Sequence, residues 1–384
     1  MGCPFTIRMR VICAPDSFKE SLSAEAAARA MAAGIEAVAP DVATDCCPIG
    51  DGGEGTASAL IAAAHGEHYQ TTVMGPFGEP VTAQWGLLEQ GRLAVLEMAA
   101  AAGLALVPAK RRNPCLTTTF GVGQLIKAAC ASGAQRLIVC VGGSATNDGG
   151  CGMAQALGIR FFDAAGATIE RPITGSMLMT IARIDAQERW RGLDQVDVTV
   201  ASDVSNPLTG PTGAARMFAP QKGASPDEVE QLDAGLRHLA RLIGKDLGLE
   251  IPSVPGAGAA GGLGAGLMAF ASARISSGIE LVLKAVEFSQ RVANADLCLT
   301  GEGRLDNQSL LGKACMGVAH AAAMHGVPTV ALVGSLGPGA GAALNNGLAD
   351  AIVIGPGLPT AESIRQAPQL IASAAARAVL AYRR

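Results

Sequence analysis

The sequence is poor in aromatic and charged side chains. Aromatic residues make up 3% and charged residues 16% of the 384 residues, while apolar residues make up 49%. So few rings argue against a platform on which unpaired bases stack, and no basic block is present that would bind nucleic acid. Because the formal net charge is −4, an anionic ligand must be held by local cations and backbone N–H groups. The apolar content allows a large core, and the length suits two domains.

Patterns of disulfides, zinc sites and membrane helices are also missing. The ten cysteines include no CxxC pair, and Cys13, Cys140 and Cys298 lie inside apolar, strand-like runs. We therefore expect buried, reduced thiols and a cytoplasmic location. His65 and His68 form a spaced pair without the further ligands that zinc needs. The uncharged stretch 251–273 is broken by prolines and glycines, which is typical of a loop, so we expect no membrane partner.

One pattern recurs along the chain: a short β-branched run, a loop with glycine and acidic residues, and an alanine-rich helical stretch. It predicts strands at residues 10–14, 43–48, 137–141, 198–201, 297–300, 329–334 and 351–354, and helices that include 24–38, 56–65 and 313–325. Alternating strands and helices indicate an α/β fold with parallel sheets. Ligands of such sheets bind outside the carboxyl ends of the strands, where the loops lie.

The middle of the chain differs from the two ends. It contains additional predicted strands at 81–88 and 93–98 and long polar links. We predict two α/β domains: a Rossmann-like parallel-sheet core domain formed by residues 1–68 and 288–384, and a second α/β domain, residues 69–287, inserted into it.

Two glycine or hydroxyl loops near the N-terminus carry candidate site residues. In the first loop, residues 14–23, Asp16, Ser17 and Lys19 precede a helix, an arrangement that binds phosphate or carboxylate. A capped turn with a solvated lysine explains this loop equally well. In the second loop, residues 50–56, four glycines, including Gly52 and Gly53, let backbone N–H groups approach a ligand. The acids of this loop, Asp51 and Glu54, would hold Mg²⁺ or accept a hydroxyl proton.

The third and fourth loops lie in the middle of the chain. The third loop, residues 142–150, offers Ser144 and Asn147 on a flexible backbone and suits phosphate binding. In the fourth loop, residues 202–224, Asp203 directly follows a strand, a favoured position for a catalytic carboxylate, although a simple Asx turn is the alternative. Asn206 follows in the same loop, and Lys222 precedes a predicted helix, again an anion-binding arrangement.

The fifth loop, residues 301–313, combines acids and bases. Glu302, Arg304, Asp306 and Lys313 suggest an anion site beside a metal, with a surface ion-pair cluster as the alternative. The motif GxGxxG at 256–261 follows no predicted strand, so we do not expect a dinucleotide site there, but a glycine loop that enters a helix.

Seven segments, taken in order, resemble the bacterial glycerate kinase family. They are PDSFKESLSA, PIGDGGEGT, GGSATNDGG, SDVSNPL, PQKGA, PGAGAAGGLG and TGEGRLDNQSLLGK, and they extend from Pro15 to Lys313. The resemblance implies ATP and Mg²⁺ as cosubstrates, D-glycerate as acceptor, a 2-phosphate product and a site between two domains. Residues 1–9 look like a short extension of the pattern.

The roles of the charged residues follow from the needs of phosphoryl transfer, which are positioning and charge neutralisation. We expect Mg²⁺ to be held by carboxylates from Asp51, Glu302 and Asp306, and Asp203 to be the first candidate for the base, with Asp51 or Asp306 as the other candidates. Lys19 and Arg304 would neutralise the phosphoryl group or bind the glycerate carboxylate. A 3-phosphate product, an isomerase or mutase of phosphorylated acids, and a ligand-sensing domain stay open as alternatives, as does a homodimer.

Overall fold

A computed structural model describes residues 9–18, 21–307, 309–311 and 313–383. Its strands are β1 Arg10–Cys13, β2 Ala43–Cys46, β3 Glu67–Met74, β4 Pro80–Leu88, β5 Leu93–Glu97, β6 Arg136–Cys140, β7 Arg160–Phe162, β8 Arg183–Asp185, β9 Asp197–Ala201, β10 Arg274–Ser276, β11 Leu297–Leu305, β12 Thr329–Leu336 and β13 Asp350–Val353. Its α-helices are α1 Ala24–Val38, α2 Thr56–Ala63, α3 Ala99–Ala102, α4 Phe120–Ala131, α5 Cys151–Ala156, α6 Ala214–Phe218, α7 Pro226–Leu247, α8 Ala259–Ala271, α9 Gly278–Ala285, α10 Phe288–Val292, α11 Ala314–Ala323, α12 Gly341–Asn345, α13 Thr360–Arg365 and α14 Ala367–Tyr382.

These elements fold into two compact units. Unit 1 takes in Met1–Asp51, Ser58–His65 and Ile279–Arg384, and unit 2 takes in Gly52–Ala57 and Gly66–Gly278. Unit 1 contains a five-stranded sheet in the order β13-β12-β11-β1-β2, and every neighbouring pair in it is parallel. The carboxyl ends of all five strands therefore lie at one edge of this sheet.

Unit 2 contains a six-stranded mixed sheet in the order β10-β9-β6-β5-β4-β3. The strands β5, β6, β9 and β10 run parallel, and β3 and β4 add an antiparallel extension. A small antiparallel pair, β7 and β8, accompanies this sheet. The predicted α/β class, with a parallel-sheet domain formed by both chain ends and a second α/β domain inserted, is confirmed.

Helix α1 has the bounds that the sequence predicts, residues 24–38. In α1, Ser23 is the N-cap and accepts a hydrogen bond from the N–H of Ala26. Ala27, Met31 and Ile35 follow at helical spacing and are buried against the sheet of unit 1. Gly34 of α1 lies against α14, and a Cβ atom on Gly34 would be 2.0 Å from the carbonyl oxygen of Ala372. The two helices can therefore approach this closely only because this residue has no side chain.

The fifth loop differs from its prediction. The sequence predicts a loop at residues 301–305, directly after the strand. In the structure these residues continue β11 and pair with β12, where Glu302 is opposite Val333 and Arg304 is opposite Ser335. Hydrogen bonds to β12 explain this extension, because pairing with a neighbouring strand outweighs the low strand propensity of the glycines. In the part of the chain that the structure describes, no helix has the length and apolar character required to cross a membrane.

Candidate functional site

In unit 1, the first loop leaves β1 beside the middle of β11. The N–H of Asp16 donates to the carbonyl of Gly301 at 2.9 Å, and the Thr300 hydroxyl donates to the carbonyl of Ala14 at 2.9 Å. The N–H of Ser17 in turn donates to Oδ1 of Asp16 at 2.6 Å. The position of Asp16 and Ser17 at this edge is therefore fixed by backbone contacts. Lys19 lies outside the described residues.

Two other predicted site residues of unit 1, Asp51 and Lys313, lie near Glu302. Burial raises the pKa of its carboxyl group, hydrogen bonds from Ser309 and Cys315 and the positive charge of Lys313 oppose this shift, and the negative charge of Asp51 adds to it. Glu302, Asp51 and Lys313 are therefore close enough to act on one another. The Oε1 atom of Glu302 is buried and has no hydrogen-bond partner among the residues that the structure describes. Such an oxygen is suited to a cation or a ligand donor.

Arg304 and Asp306 form an ion pair of their own. The Nε atom of Arg304 lies 3.3 Å from Oδ2 of Asp306, and the side chains are 60% and 26% exposed. The N–H of Asp306 also donates to the Ser309 hydroxyl. This ion pair corresponds to the alternative interpretation of the fifth loop, and a ligand contact by either side chain stays a prediction.

In unit 2, the second and third loops are packed directly against each other. The N–H of Gly142 donates to the carbonyl of Gly52 at 3.3 Å, and a Cβ on Gly142 would lie 2.5 Å from Cα of Gly53. Gly52 itself has a φ of +87° and faces the carbonyl of Ala201 at the end of β9, 2.7 Å from where a Cβ would be. The second loop, the third loop and the carboxyl end of β9 thus meet here, and the glycines permit this approach.

Glu97 is a residue of this site that the sequence analysis missed. It ends β5, and its Oε1 accepts a hydrogen bond from the N–H of Ala57 at 2.8 Å. Burial raises the pKa of this carboxyl group, although the backbone N–H groups of Ala57 and Gly55 lower it and nearby Glu54 raises it. Glu97 thus binds the end of the second loop. Its position, an acid at the end of a predicted strand, was the available signal.

Asp148 has the same role in the third loop and was also missed. It is fully buried and accepts hydrogen bonds from the N–H and hydroxyl of Thr119 at 2.8 and 2.7 Å, and from the N–H groups of Gly150 and Gly152 at 3.1 and 3.2 Å. Burial raises the pKa of its carboxyl group, and these hydrogen bonds oppose the shift. Its neighbour Asn147 is fully buried too, but within the described part of the chain neither Oδ1 nor Nδ2 of Asn147 has a hydrogen-bond partner.

Lys222 points into unit 2 and towards the third loop. The side chain is buried, and its Nζ donates to Oγ of Ser144 at 2.6 Å and to the carbonyl of Thr146 at 2.7 Å. Both contacts are with protein atoms, so the direct contact of Lys222 with an anion stays a prediction. The structure does bring Lys222, Ser144 and Asn147 together in one loop environment.

Asp203 and Asn206 lie where the chain leaves β9. Oδ1 of Asp203 accepts hydrogen bonds from the Ser277 hydroxyl at 3.0 Å and from the N–H of Gly278 at 2.8 Å. Nδ2 of Asn206 donates to the carbonyl of Thr212 at 2.8 Å, and its backbone carbonyl accepts from the N–H of Gly258. The glycine segment that precedes α8 is therefore attached to the fourth loop.

That glycine segment also contacts the third loop, since the N–H of Gly149 donates to the carbonyl of Gly261. It enters α8, as predicted, although Ala260, Gly261 and Gly262 depart from helical geometry. Within the described ranges, no group of three or more His, Cys, Asp or Glu side chains is arranged so that it could hold a metal ion.

Comparison with known proteins gives these loops a family. Residues 11–383 match the glycerate kinase family. The chain belongs to the glycerate kinase family. It is 46% identical to the glycerate kinase of Halalkalibacterium halodurans over 95% of the chain and 96% of that protein, and 46% identical to the glycerate 2-kinase of Escherichia coli over 88% and 89%.

A solved structure shows the same fold. It is a crystal structure from Salmonella typhimurium LT2 of a protein with the provisional name glycerate kinase 2, with a TM-score of 0.84, 40% sequence identity and coverage of 98% of both chains. The resemblance found in the seven motifs is thus confirmed over nearly the whole length of this family member.

Proposed function

We propose that the chain is a glycerate kinase that transfers the γ-phosphoryl group of ATP to D-glycerate and forms 2-phospho-D-glycerate. Membership of the family implies ATP as the phosphoryl donor. The observation that carries the proposal is the contact of the second glycine loop with the third loop, which follows β6, and with Ala201, which ends β9 two residues before Asp203. Glycine loops in that position offer N–H donors to phosphates, and a carboxylate beside them can accept a proton.

Asp203 is our first candidate for the base that accepts the proton of the attacking hydroxyl. The hydrogen bonds from Ser277 and Gly278 to Oδ1 support this role, because they hold the carboxylate in one orientation. Positioning of a base contributes about 10²–10⁴-fold to the rate of a proton-transfer step. Asp51 and Asp306 are the other candidates for the same role.

The phosphates and the glycerate carboxylate would be bound by residues from several loops. The buried amide of Asn147 supports a ligand contact, because a buried polar group without a partner costs about 1–3 kcal/mol unless a ligand or water satisfies it. The other proposed binding residues are Asp16, Ser17, Lys19, Gly52, Gly53, Ser144, Asn206, Arg304 and Lys313. Of the two cations that would neutralise the transferred group, Lys19 and Arg304, only Arg304 lies in the described part of the chain.

The carboxylates of unit 1 fit a magnesium ion. Mg²⁺ is usually bound by one or two carboxylates together with substrate phosphates, so a cluster of three protein acids is not required. Asp51 and the unpartnered Oε1 of Glu302 supply such a pair, and Asp306 is the third candidate. When bound, the ion would neutralise charge on the β- and γ-phosphates. The cytoplasmic location, the homodimer and the placement of the substrate site stay predictions.

The proposal is tested by ADP release coupled to product analysis. We expect ADP formation only when Mg²⁺, ATP and D-glycerate are all present, and equal nucleotide turnover without glycerate would contradict the substrate assignment. The phosphorus NMR signal of the product identifies the acceptor hydroxyl. A phosphate on C2 couples to one carbon-bound proton and gives a doublet, whereas a phosphate on C3 couples to two and gives a triplet.

A further inference from the structure

Lys222 is a charged side chain in the interior of unit 2. It closes the short 3₁₀ helix Pro220–Lys222 and is 2% exposed. Two of the three protons of its ammonium group are used by Ser144 and Thr146, at 2.6 and 2.7 Å. Distances this short are typical of charge-assisted hydrogen bonds.

The negative charge that acts on the ammonium group of Lys222 comes from Asp148. Burial lowers the pKa of Lys222 to about 7, and the negative charge of Asp148 raises it in part. Asp148 is itself held by Thr119, Gly150 and Gly152. Because burying a charge is costly unless it is paired and hydrogen-bonded, the contacts with the third loop are what keep this lysine inside.

The partners of Lys222 all belong to one segment. Ser144 and Thr146 lie on either side of Ala145 in the third loop, and Asp148 lies two residues further on. Asn147, with its unpartnered buried amide, lies between Thr146 and Asp148. The ammonium group therefore holds the segment on the N-terminal side of Asn147, while Asp148 holds it on the C-terminal side through Thr119.

We propose that Lys222 is a positioning residue, which holds the third loop through Ser144 and Thr146 so that Ser144 and Asn147 are ready for the ligand, and which does not itself contact the phosphates. This inference rests on the proposed kinase function for its kinetic consequence. It differs from the sequence-based prediction that Lys222 binds the anion directly. Two of the three donors of the ammonium group are already used by loop atoms, whereas the amide of Asn147 has no recorded partner, and this difference favours the indirect role of Lys222.

The deciding experiment measures amide hydrogen exchange of the protein without any ligand. In Lys222→Met, we expect exchange of residues 142–150 to rise about tenfold or more, because local opening of the loop becomes easier, while the strands of unit 2 keep their protection. Lys245→Met is the matched control, since Lys245 lies in α7 of the same unit and is 68% exposed, and it should leave loop exchange unchanged. A direct phosphate contact predicts the opposite result: unchanged exchange without ligand.

Kinetics of a double-mutant cycle test the link to function. If Lys222 acts through Ser144, the variant with both Lys222→Met and Ser144→Ala should lose about as much kcat/KM as the more impaired single variant. Losses that multiply would overturn the proposal, as would faster exchange throughout unit 2, which would indicate a general folding role. If Lys222→Met does not fold, Lys222→Gln, which keeps a donor, takes its place. Hydrogen exchange needs no turnover, so failure of the kinase assignment and failure of this proposal are distinguishable.

Discussion

Asp203 uses one carboxylate oxygen to bind the backbone at Gly278, and this contact decides which substitution tests its role. Asparagine keeps an oxygen that accepts the same hydrogen bonds but cannot act as a base. We therefore expect Asp203→Asn to lower kcat about 10²-fold or more, a usual loss for a general base, with an unchanged melting temperature. Steady-state kinetics and thermal melts measure both quantities. A variant with near-normal kcat would move the role to Asp51 or Asp306.

Lys222 predicts a pH dependence of stability. An unfolded chain binds a proton at this side chain up to about pH 10.4, whereas in the folded protein its pKa is about 7. Between these two values, unfolding takes up a proton, so the contribution of Lys222 to the free energy of unfolding increases as pH rises and is constant below pH 7.

Denaturant unfolding of the unmodified protein and of Lys222→Met, measured from about pH 6 to pH 10, isolates this contribution. Titrating groups that do not interact with Lys222 cancel in the difference between the two proteins. We expect the difference to shift in favour of the unmodified protein above pH 7. A difference that does not vary with pH would show that Lys222 keeps its proton in the folded state.

The position of a candidate site residue in the chain decides whether the sequence predicts it. Asp203, Ser144 and Asn147 are predicted because they lie in glycine and hydroxyl loops that follow predicted strands. Glu97 and the inward direction of Lys222 are not predicted, and the residues beside Lys222, Gln221 and Gly223, give no sign that this lysine turns inward. Side-chain burial depends on contacts with residues distant in sequence, here Ser144 and Thr146.

The regular elements follow the local pattern more closely. The predicted helix 24–38 matches α1, whose bounds are set by an N-cap serine and by apolar residues at helical spacing. In contrast, β11 continues five residues beyond its predicted end, because it pairs with β12 over this length. β12 begins more than twenty residues later in the sequence, so the local pattern around β11 does not show this pairing. Strand ends are determined by the neighbouring strand, which local propensity does not describe.

The packing of α1 on α14 gives a prediction about helices. Gly34→Ala would place a Cβ 2.0 Å from the carbonyl oxygen of Ala372, so the helices must move apart, and we expect a loss of about 1–3 kcal/mol in the free energy of unfolding. Gly341→Ala in α12 is the matched control, because no atom lies within 4 Å of its added Cβ, and it should be neutral or slightly stabilising. Denaturant unfolding measures both, and equal effects would contradict the close helix contact.

For the whole molecule, the insertion of one domain into another has an energetic consequence. The main apolar core of unit 2 consists of residues between Val73 and Ala273, whereas the core of unit 1 combines residues near the N-terminus, such as Val11, with residues as distant as Val379. Closing unit 1 therefore requires chain segments separated by the whole of unit 2, and long closures cost more conformational entropy. Unit 2 carries nearly all of its core on one continuous segment.

The segment 66–278 should consequently fold when it is produced alone. It keeps the six-stranded sheet and the apolar core of unit 2. It loses residues 52–57, and with them the hydrogen bonds from Ala57 and Gly55 to Glu97 and from Gly142 to Gly52. Each such loss costs about 1–3 kcal/mol, less than a core of this size contributes. We expect a cooperative thermal transition by circular dichroism but no ADP formation from ATP and glycerate, because Asp51 and Glu302 are absent from the segment.

Asp148→Ala in the same segment tests whether the isolated fold is the native one. It removes the acceptor of four buried hydrogen bonds and should lower the melting temperature of the segment strongly. A segment that melts without cooperativity, or one whose melting temperature is insensitive to Asp148→Ala, would show that unit 2 does not form its native core by itself.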